Sequence, residues 1–135
     1  MGIPGQPLHA RFPRVDRNLQ LAKAHDLLRR GQLPAAEAAC RALLVVASRD
    51  ADALHLLGLV CKQAGDLDQA ESLLRSSVEA APDRAEYHAN LGNLLRSRGR
   101  IADAELAYRM ALQLSPQLRT ARLGLARLLC DASLH

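Results

Sequence analysis

The chain has 135 residues, 18 Lys and Arg against 14 Asp and Glu for a net charge of +4, and 49% hydrophobic residues, which is enough for one domain with its own core and too apolar for a disordered chain. Leucine supplies 27 residues and alanine 24, while valine, isoleucine and the aromatics together supply ten. Strands draw on β-branched and aromatic side chains, so this balance excludes a sandwich, a barrel or a parallel sheet and predicts an all-α protein.

Three cysteines, Cys40, Cys61 and Cys130, without Cys-x-x-Cys spacing exclude a disulfide framework and a zinc ribbon and fit a reducing compartment. The N-terminus has no apolar stretch of the signal-peptide kind, and the longest apolar run, Ala42 to Ala47, spans six residues, against about 18 for a membrane span. These features predict a soluble, cytoplasmic protein with no membrane partner. Arginine makes up 16 of the 18 basic residues, which together with the alanine content fits a GC-rich bacterial genome.

Residues 1–16 carry Pro4, Pro7 and Pro13 without helical periodicity and read as a flexible tail, in which Phe12 could dock onto the folded part or a partner. From residue 17 the chain repeats itself every 34 residues. Gly31, Gly65 and Gly99 stand in register, as do Ala36, Ala70 and Ala104, then Glu37, Glu71 and Glu105, then Arg41, Arg75 and Arg109. Units 51–84 and 85–118 also share Ala51/Ala85, Leu57/Leu91, Gly58/Gly92 and Pro82/Pro116.

Each unit reads as two antiparallel helices. In unit 51–84 apolar residues recur at three- and four-residue steps, Leu54, Leu57 and Cys61, then Leu67, Ala70, Leu74 and Val78, one buried stripe per helix. The register glycines mark where each first helix ends, because glycine accepts the left-handed conformation of a helix C-terminus. Pro82 and Pro116 close second helices, and Pro34 suits the first turn of one. Gly58 and Gly92, with Ala24 and Ala126 in their column, lie mid-helix, where glycine costs about 1 kcal/mol. Close helix crossing justifies that cost, and the Ala36/Ala70/Ala104 column reads the same way. The pairs Glu37–Arg41, Glu71–Arg75 and Glu105–Arg109 follow the acid-first, four-apart order of a solvated outer face.

Residues 119–134 repeat only a first helix, with Ala121, Leu125, Leu128 and Leu129 on one side. This C-terminal helix reads either as a capping helix or, as the apolar Leu123 and Leu129 favour, as the edge of a longer protein cut after His135 or a self-association surface joining two copies.

These residues resemble the tetratricopeptide repeat, a 34-residue unit with a large residue, Leu-Gly, an aromatic, an alanine, another aromatic and a closing proline. Unit 51–84 matches with Leu54, Leu57-Gly58, Cys61, Ala70, Leu74 and Pro82, and unit 85–118 with His88, Leu91-Gly92, Leu95, Ala104, Tyr108 and Pro116. Unit 17–50 is degenerate, with Gln20, Lys23-Ala24, Leu27, Ala36, Cys40 and Ser48, as suits a terminal unit facing water. The resemblance implies an α-solenoid over residues 17–134, three helix-turn-helix repeats (17–50, 51–84, 85–118) plus an extra helix (119–134), wound as a right-handed superhelix. The wording of the units is similar to the N-terminal repeats of bacterial glycosyltransferases, sulfotransferases and 2-oxoglutarate oxygenases, whose catalytic domains find no counterpart in this sequence.

The resemblance also implies that first helices line a concave groove that holds a peptide. Carried over in register, its columns are Leu21, His55, Ala89 and Leu123; Ala22, Leu56 and Asn90; His25, Leu59, Asn93 and Arg127; and Leu28, Lys62 and Arg96. The candidate contacts are His25, His55, Leu59, Lys62, Asn90, Asn93, Arg96 and Arg127, with Asn90 and Asn93 expected to be exposed and to grip peptide backbone through donor and acceptor. The Asn90 column holds Ala22 and Leu56 in the other units, so an asparagine ladder is incomplete, and so is a two-carboxylate clamp. The groove is apolar at Leu56 and Leu59 and basic at Lys62, Arg96 and Arg127, which favours an acidic partner.

No catalytic chemistry is indicated. Gly-x-Ser-x-Gly, phosphate loops and His-Glu-x-x-His are missing from the sequence, and His25, His55 and Cys61 fall short of a convergent metal set; no metal or other cofactor is expected. Seven arginines face four acidic residues after residue 84, yet nucleic-acid binding lacks stacking aromatics. The function expected is a protein-interaction scaffold without catalysis. The alternatives are the substrate-recognition arm of a larger bacterial enzyme and a self-assembling module.

Overall fold

The computed structural model describes residues 16–133, and the tail read at residues 1–15, with Phe12, lies outside them. They form seven helices: α1 (Arg17–Arg29), α2 (Leu33–Val46), α3 (Ala51–Ala64), α4 (Leu67–Ala80), α5 (Ala85–Ser97), α6 (Ile101–Leu114) and α7 (Arg119–Ser133). The architecture is the expected all-α solenoid of helix-turn-helix repeats, with α1/α2, α3/α4 and α5/α6 as pairs.

The helix starts follow from short acidic caps. Asp16 accepts from the Asn18 and Leu19 N–H groups, Asp50 from Asp52 and Ala53, and Asp66 from Gln69, satisfying donors that have no partner inside the first turn. Between the helices of each pair the chain reverses through Gly31, Gly65 and Gly99 at φ 76°, 91° and 78°, a region only glycine enters without steric cost. Pro34 lies in the first turn of α2, and Pro82 and Pro116 stand two residues beyond α4 and α6.

The core is a row of leucines and small residues. Leu56, Leu74 and Leu94 are fully enclosed, and Ala36, Ala70 and Ala104 are completely buried where the helices of a pair cross. Gly58 and Gly92 are close-approach positions as expected: a Cβ would stand 2.8 Å from Leu74 at the first and 2.9 Å from the Tyr108 ring at the second. Ala126 does not continue this column. It is exposed, and Gly124 instead meets Tyr108, whose ring atoms come as near as 2.3 Å to a would-be Cβ. Ala121, Gly124 and Leu128 stand 34 residues after Tyr87, Asn90 and Leu94 and pack α7 onto α5 and α6, while the Ala126 side, which would face the second helix of its own pair, has none among the described residues. Leu129, expected on the same side, is 47% exposed.

The outer face differs from expectation at one of its three pairs. Glu37–Arg41 and Glu105–Arg109 are solvated, but the Glu71 side chain is only 12% exposed and takes Arg75 at 3.1 Å, Arg98 at 3.1 Å and Arg100 at 2.6 Å. Arg98 and Arg100 come from the next repeat, so Glu71 ties two repeats together. Burial works against its charge, but the three guanidiniums prevail and hold its carboxyl below the usual range.

Candidate functional site

The first helices α1, α3 and α5 lie side by side and are joined by polar contacts. Arg17 of α1 reaches Asp50 at 2.5 Å and Asp52 at 2.6 Å. Asp52 in turn accepts from the Tyr87 hydroxyl of α5 and lies 3.3 Å from Arg84, whose guanidinium sits 4.8 Å over the Tyr87 ring. His55 stacks on Tyr87 with centroids 4.2 Å apart and planes 16° apart, and its Nε2 accepts from the Asn90 amide at 2.9 Å. Burial, then the nearby His25, push the His55 imidazole down to about 4, so it is neutral at physiological pH.

This cluster revises part of the expected groove. His55 is buried and serves as a packing and hydrogen-bonding element, Leu21, Leu56 and Ala89 are core residues, and Asn90 is half-buried and committed to His55. The neutral ring tolerates burial because its accepting nitrogen is satisfied by Asn90 and its face by Tyr87. Sequence reasoning missed Arg17, Asp52, Arg84 and Tyr87 as a unit. The available signal was an acid and an arginine about one repeat apart, Arg17 and Asp52, a spacing at which neighbouring first helices place side chains opposite each other.

His25 is exposed and Leu59 half-buried on the same helices. Lys62, Asn93, Arg96 and Arg127 converge further along, where α3, α5 and α7 line a cavity of about 350 Å³ that is open to solvent. Ser97, Thr120, Leu123 and Gly124 complete its lining. No acidic side chain is among the lining residues, and Lys62, Arg96 and Arg127 have no ion-pair partner among the described residues, whereas nine other arginines do. Burial, then the Arg96 charge, hold the Lys62 ammonium below its ordinary value. The Arg96 Nε is buried without a hydrogen-bond partner. Asn93 is half-buried rather than freely exposed. Its Oδ1 accepts from the Tyr108 hydroxyl at 2.5 Å, leaving its N–H groups as donors. Chemically, this is a concave site with donors and positive charge and no carboxylate in its lining.

Among the described residues no three His, Cys, Asp or Glu side chains are grouped to hold a metal ion, and no helix is long and apolar enough to cross a membrane. Cys40 and Cys61 are buried and Cys130 is exposed; burial pushes the Cys40 thiol up to about 11.

The family model described as tetratricopeptide repeat matches residues 21–84 and 62–119. The chain belongs to the tetratricopeptide repeat family. Among solved structures it is similar to a mutant O-GlcNAc transferase of Thermobaculum terrenum, with 38% identity and a TM-score of 0.79 over 83% of this chain. It spans only 22% of that transferase chain. It is also similar to the Yersinia enterocolitica type III secretion chaperone SycD in complex with a peptide of the translocator YopD, at 16% identity and TM-score 0.74 over 85% of this chain and 93% of the other. The first tetratricopeptide domain of Spaghetti, bound to an HSP90 peptide, gives 13% identity and TM-score 0.78 over 86% and 92%. At these identities the last two show the shared fold. No curated protein matches the chain.

Proposed function

We propose that this tetratricopeptide domain is a protein-recognition module without catalysis of its own, which holds an extended segment of a partner along α1, α3, α5 and α7 and selects acidic groups at the α5–α7 end. The observation that carries this reading is the cavity lined by Lys62, Asn93, Arg96 and Arg127 with no acidic residue in its lining. His25 and Leu59 extend the contact surface along the wall. Peptides bound to SycD and to the Spaghetti domain support the general mode.

Alanine at Asn90 or Asn93 would strip His55 or Tyr108 of its partner, so the informative variant is Lys62→Ser with Arg127→Ser, which leaves those bonds in place. On an array of acidic, neutral and basic peptides, the native chain is expected to retain acidic sequences and the double variant to lose them. Retention of basic and acidic peptides alike, unchanged in the variant, would overturn the reading.

The transferase likeness supports a related assignment, the recognition arm of a larger enzyme, since this chain corresponds to 22% of that protein. The test is whether the reading frame runs past His135 into a catalytic domain.

A specific observation favours self-association as a second reading. Leu123 and Leu129, 45% and 47% exposed, lie three residues either side of the exposed Ala126. Two copies of α7 packed antiparallel about Ala126 would set Leu123 against Leu129 and bring Asp131 beside Arg122. Sedimentation should then show a dimer that Leu129→Glu abolishes, and a monomeric native chain removes this reading.

A further inference from the structure

We propose that the α5–α7 cavity takes a phosphoryl monoester carried on a serine or threonine of the bound segment. This deepens the reading of the inner wall as a peptide groove and rests on it.

The argument is one of charge and donor count. Three cationic side chains, Lys62, Arg96 and Arg127, line a cavity without a carboxylate, and a single Asp or Glu from a partner would balance one of them. A phosphoryl group carries about −1.5 to −2 charge at pH 7 and three strong acceptor oxygens. The donors present match that number and kind. Arginine offers a planar fork suited to phosphate and lysine a mobile point charge. The Arg96 Nε is buried without an acceptor, and the Asn93 oxygen accepts from the Tyr108 hydroxyl while its N–H groups remain as donors. Thr120 adds a hydroxyl from the first turn of α7, whereas Ser97 spends its proton on the Leu94 carbonyl at 2.7 Å.

A nucleic-acid backbone would present phosphate too, but its bases need aromatic platforms. The two tyrosines are 3% and 0% exposed and so are not available for stacking. A phosphorylated protein segment is therefore the source the wall favours.

The test measures fluorescence anisotropy of a labelled, otherwise neutral peptide in three forms, with phosphoserine, serine or glutamate at one position. The phosphoserine form should bind at least tenfold tighter than the glutamate form. Arg127→Ser and Lys62→Ser should each weaken it at least tenfold at unchanged circular dichroism and melting temperature. Equal binding of the glutamate and phosphoserine forms would overturn the proposal while leaving the peptide groove in place. A single-stranded oligonucleotide that displaces the phosphopeptide at lower concentration than the unlabelled phosphopeptide does would overturn it in favour of a nucleic-acid backbone. If no peptide binds while inorganic phosphate raises the melting temperature of the native chain and not of Arg127→Ser, phosphoryl recognition stands and the groove reading alone falls.

Discussion

Gly124→Ala tests the packing of α7 most directly. A methyl there would stand 2.3 Å from Tyr108 Cε1, 2.5 Å from Cζ and 2.8 Å from the hydroxyl oxygen, where relaxed carbon contacts lie at about 3.5–4.0 Å. The ring would need to retreat by more than 1 Å. Its retreat is limited, because the ring already lies against Gly92 and Asn93 holds the hydroxyl at 2.5 Å. So α7 must lift, loosening the buried Ala121 and Leu128. Overpacking costs roughly 1–3 kcal/mol, and with the ring's retreat limited the upper end applies. Alanine's better helix propensity returns about 1 kcal/mol, leaving a net loss of about 2 kcal/mol. Urea unfolding followed by circular dichroism measures it. In a Tyr108→Leu background the obstruction is gone, so the same Gly124→Ala change should be neutral or stabilising. Equal or greater stability of Gly124→Ala in the native background would refute the account.

Other outcomes follow from the charges and thiols. His55 is neutral in folded and unfolded chain above pH 6.5; as pH falls from 6.5 towards its folded value of about 4, the unfolded chain takes up a proton that the folded one refuses. Stability should therefore drop by about 2 kcal/mol between pH 7.5 and 5, and His55→Gln should flatten that segment of the curve; an unchanged slope would remove the buried-imidazole explanation. Glu71→Gln should cost about 2 kcal/mol, because it takes the shared anion from three guanidiniums at a largely enclosed site, while Glu105→Gln should cost under about 0.5 kcal/mol at an exposed pair. Equal losses in urea unfolding would contradict the difference drawn between the two. A thiol reagent should modify Cys130 quickly and Cys40 and Cys61 only upon unfolding, as mass spectrometry of the labelled chain would show.

The fold was legible because the residues that repeat are the ones that pack. Gly31, Gly65 and Gly99 recur where the backbone turns left-handed, and Ala36, Ala70 and Ala104 where helices cross, so backbone geometry is written directly into the period. The site was half legible for the same reason. Register placed Lys62, Asn93, Arg96 and Arg127 on one wall, and the structure brings those four together. It could not show that Asn90 spends its amide on His55, because that depends on a contact between residues 35 apart rather than 34. Nor could it show that Ala126 is exposed, because the Ala24, Gly58 and Gly92 column is buried only where a second helix of the same pair covers it. A periodic template assumes that every helix has both neighbours, and α7 has one pair only.

No ion pair among the described residues joins α7 to the rest of the array, while the inner wall of α1, α3 and α5 is bridged through Asp52 and the repeats α3/α4 and α5/α6 through Glu71. In a linear array stability comes from nearest neighbours, so α7, which lacks such a bridge among the described residues, is held by its packing on α5 and α6. Yet α7 supplies Thr120, Leu123, Gly124 and Arg127, half the lining of the basic cavity. The cavity therefore exists only while α7 is docked, and a ligand that fills it must also favour the docked α7. Occupancy would then register as slowed amide exchange along α7, the helix whose Thr120 and Arg127 face the anion from the cavity wall.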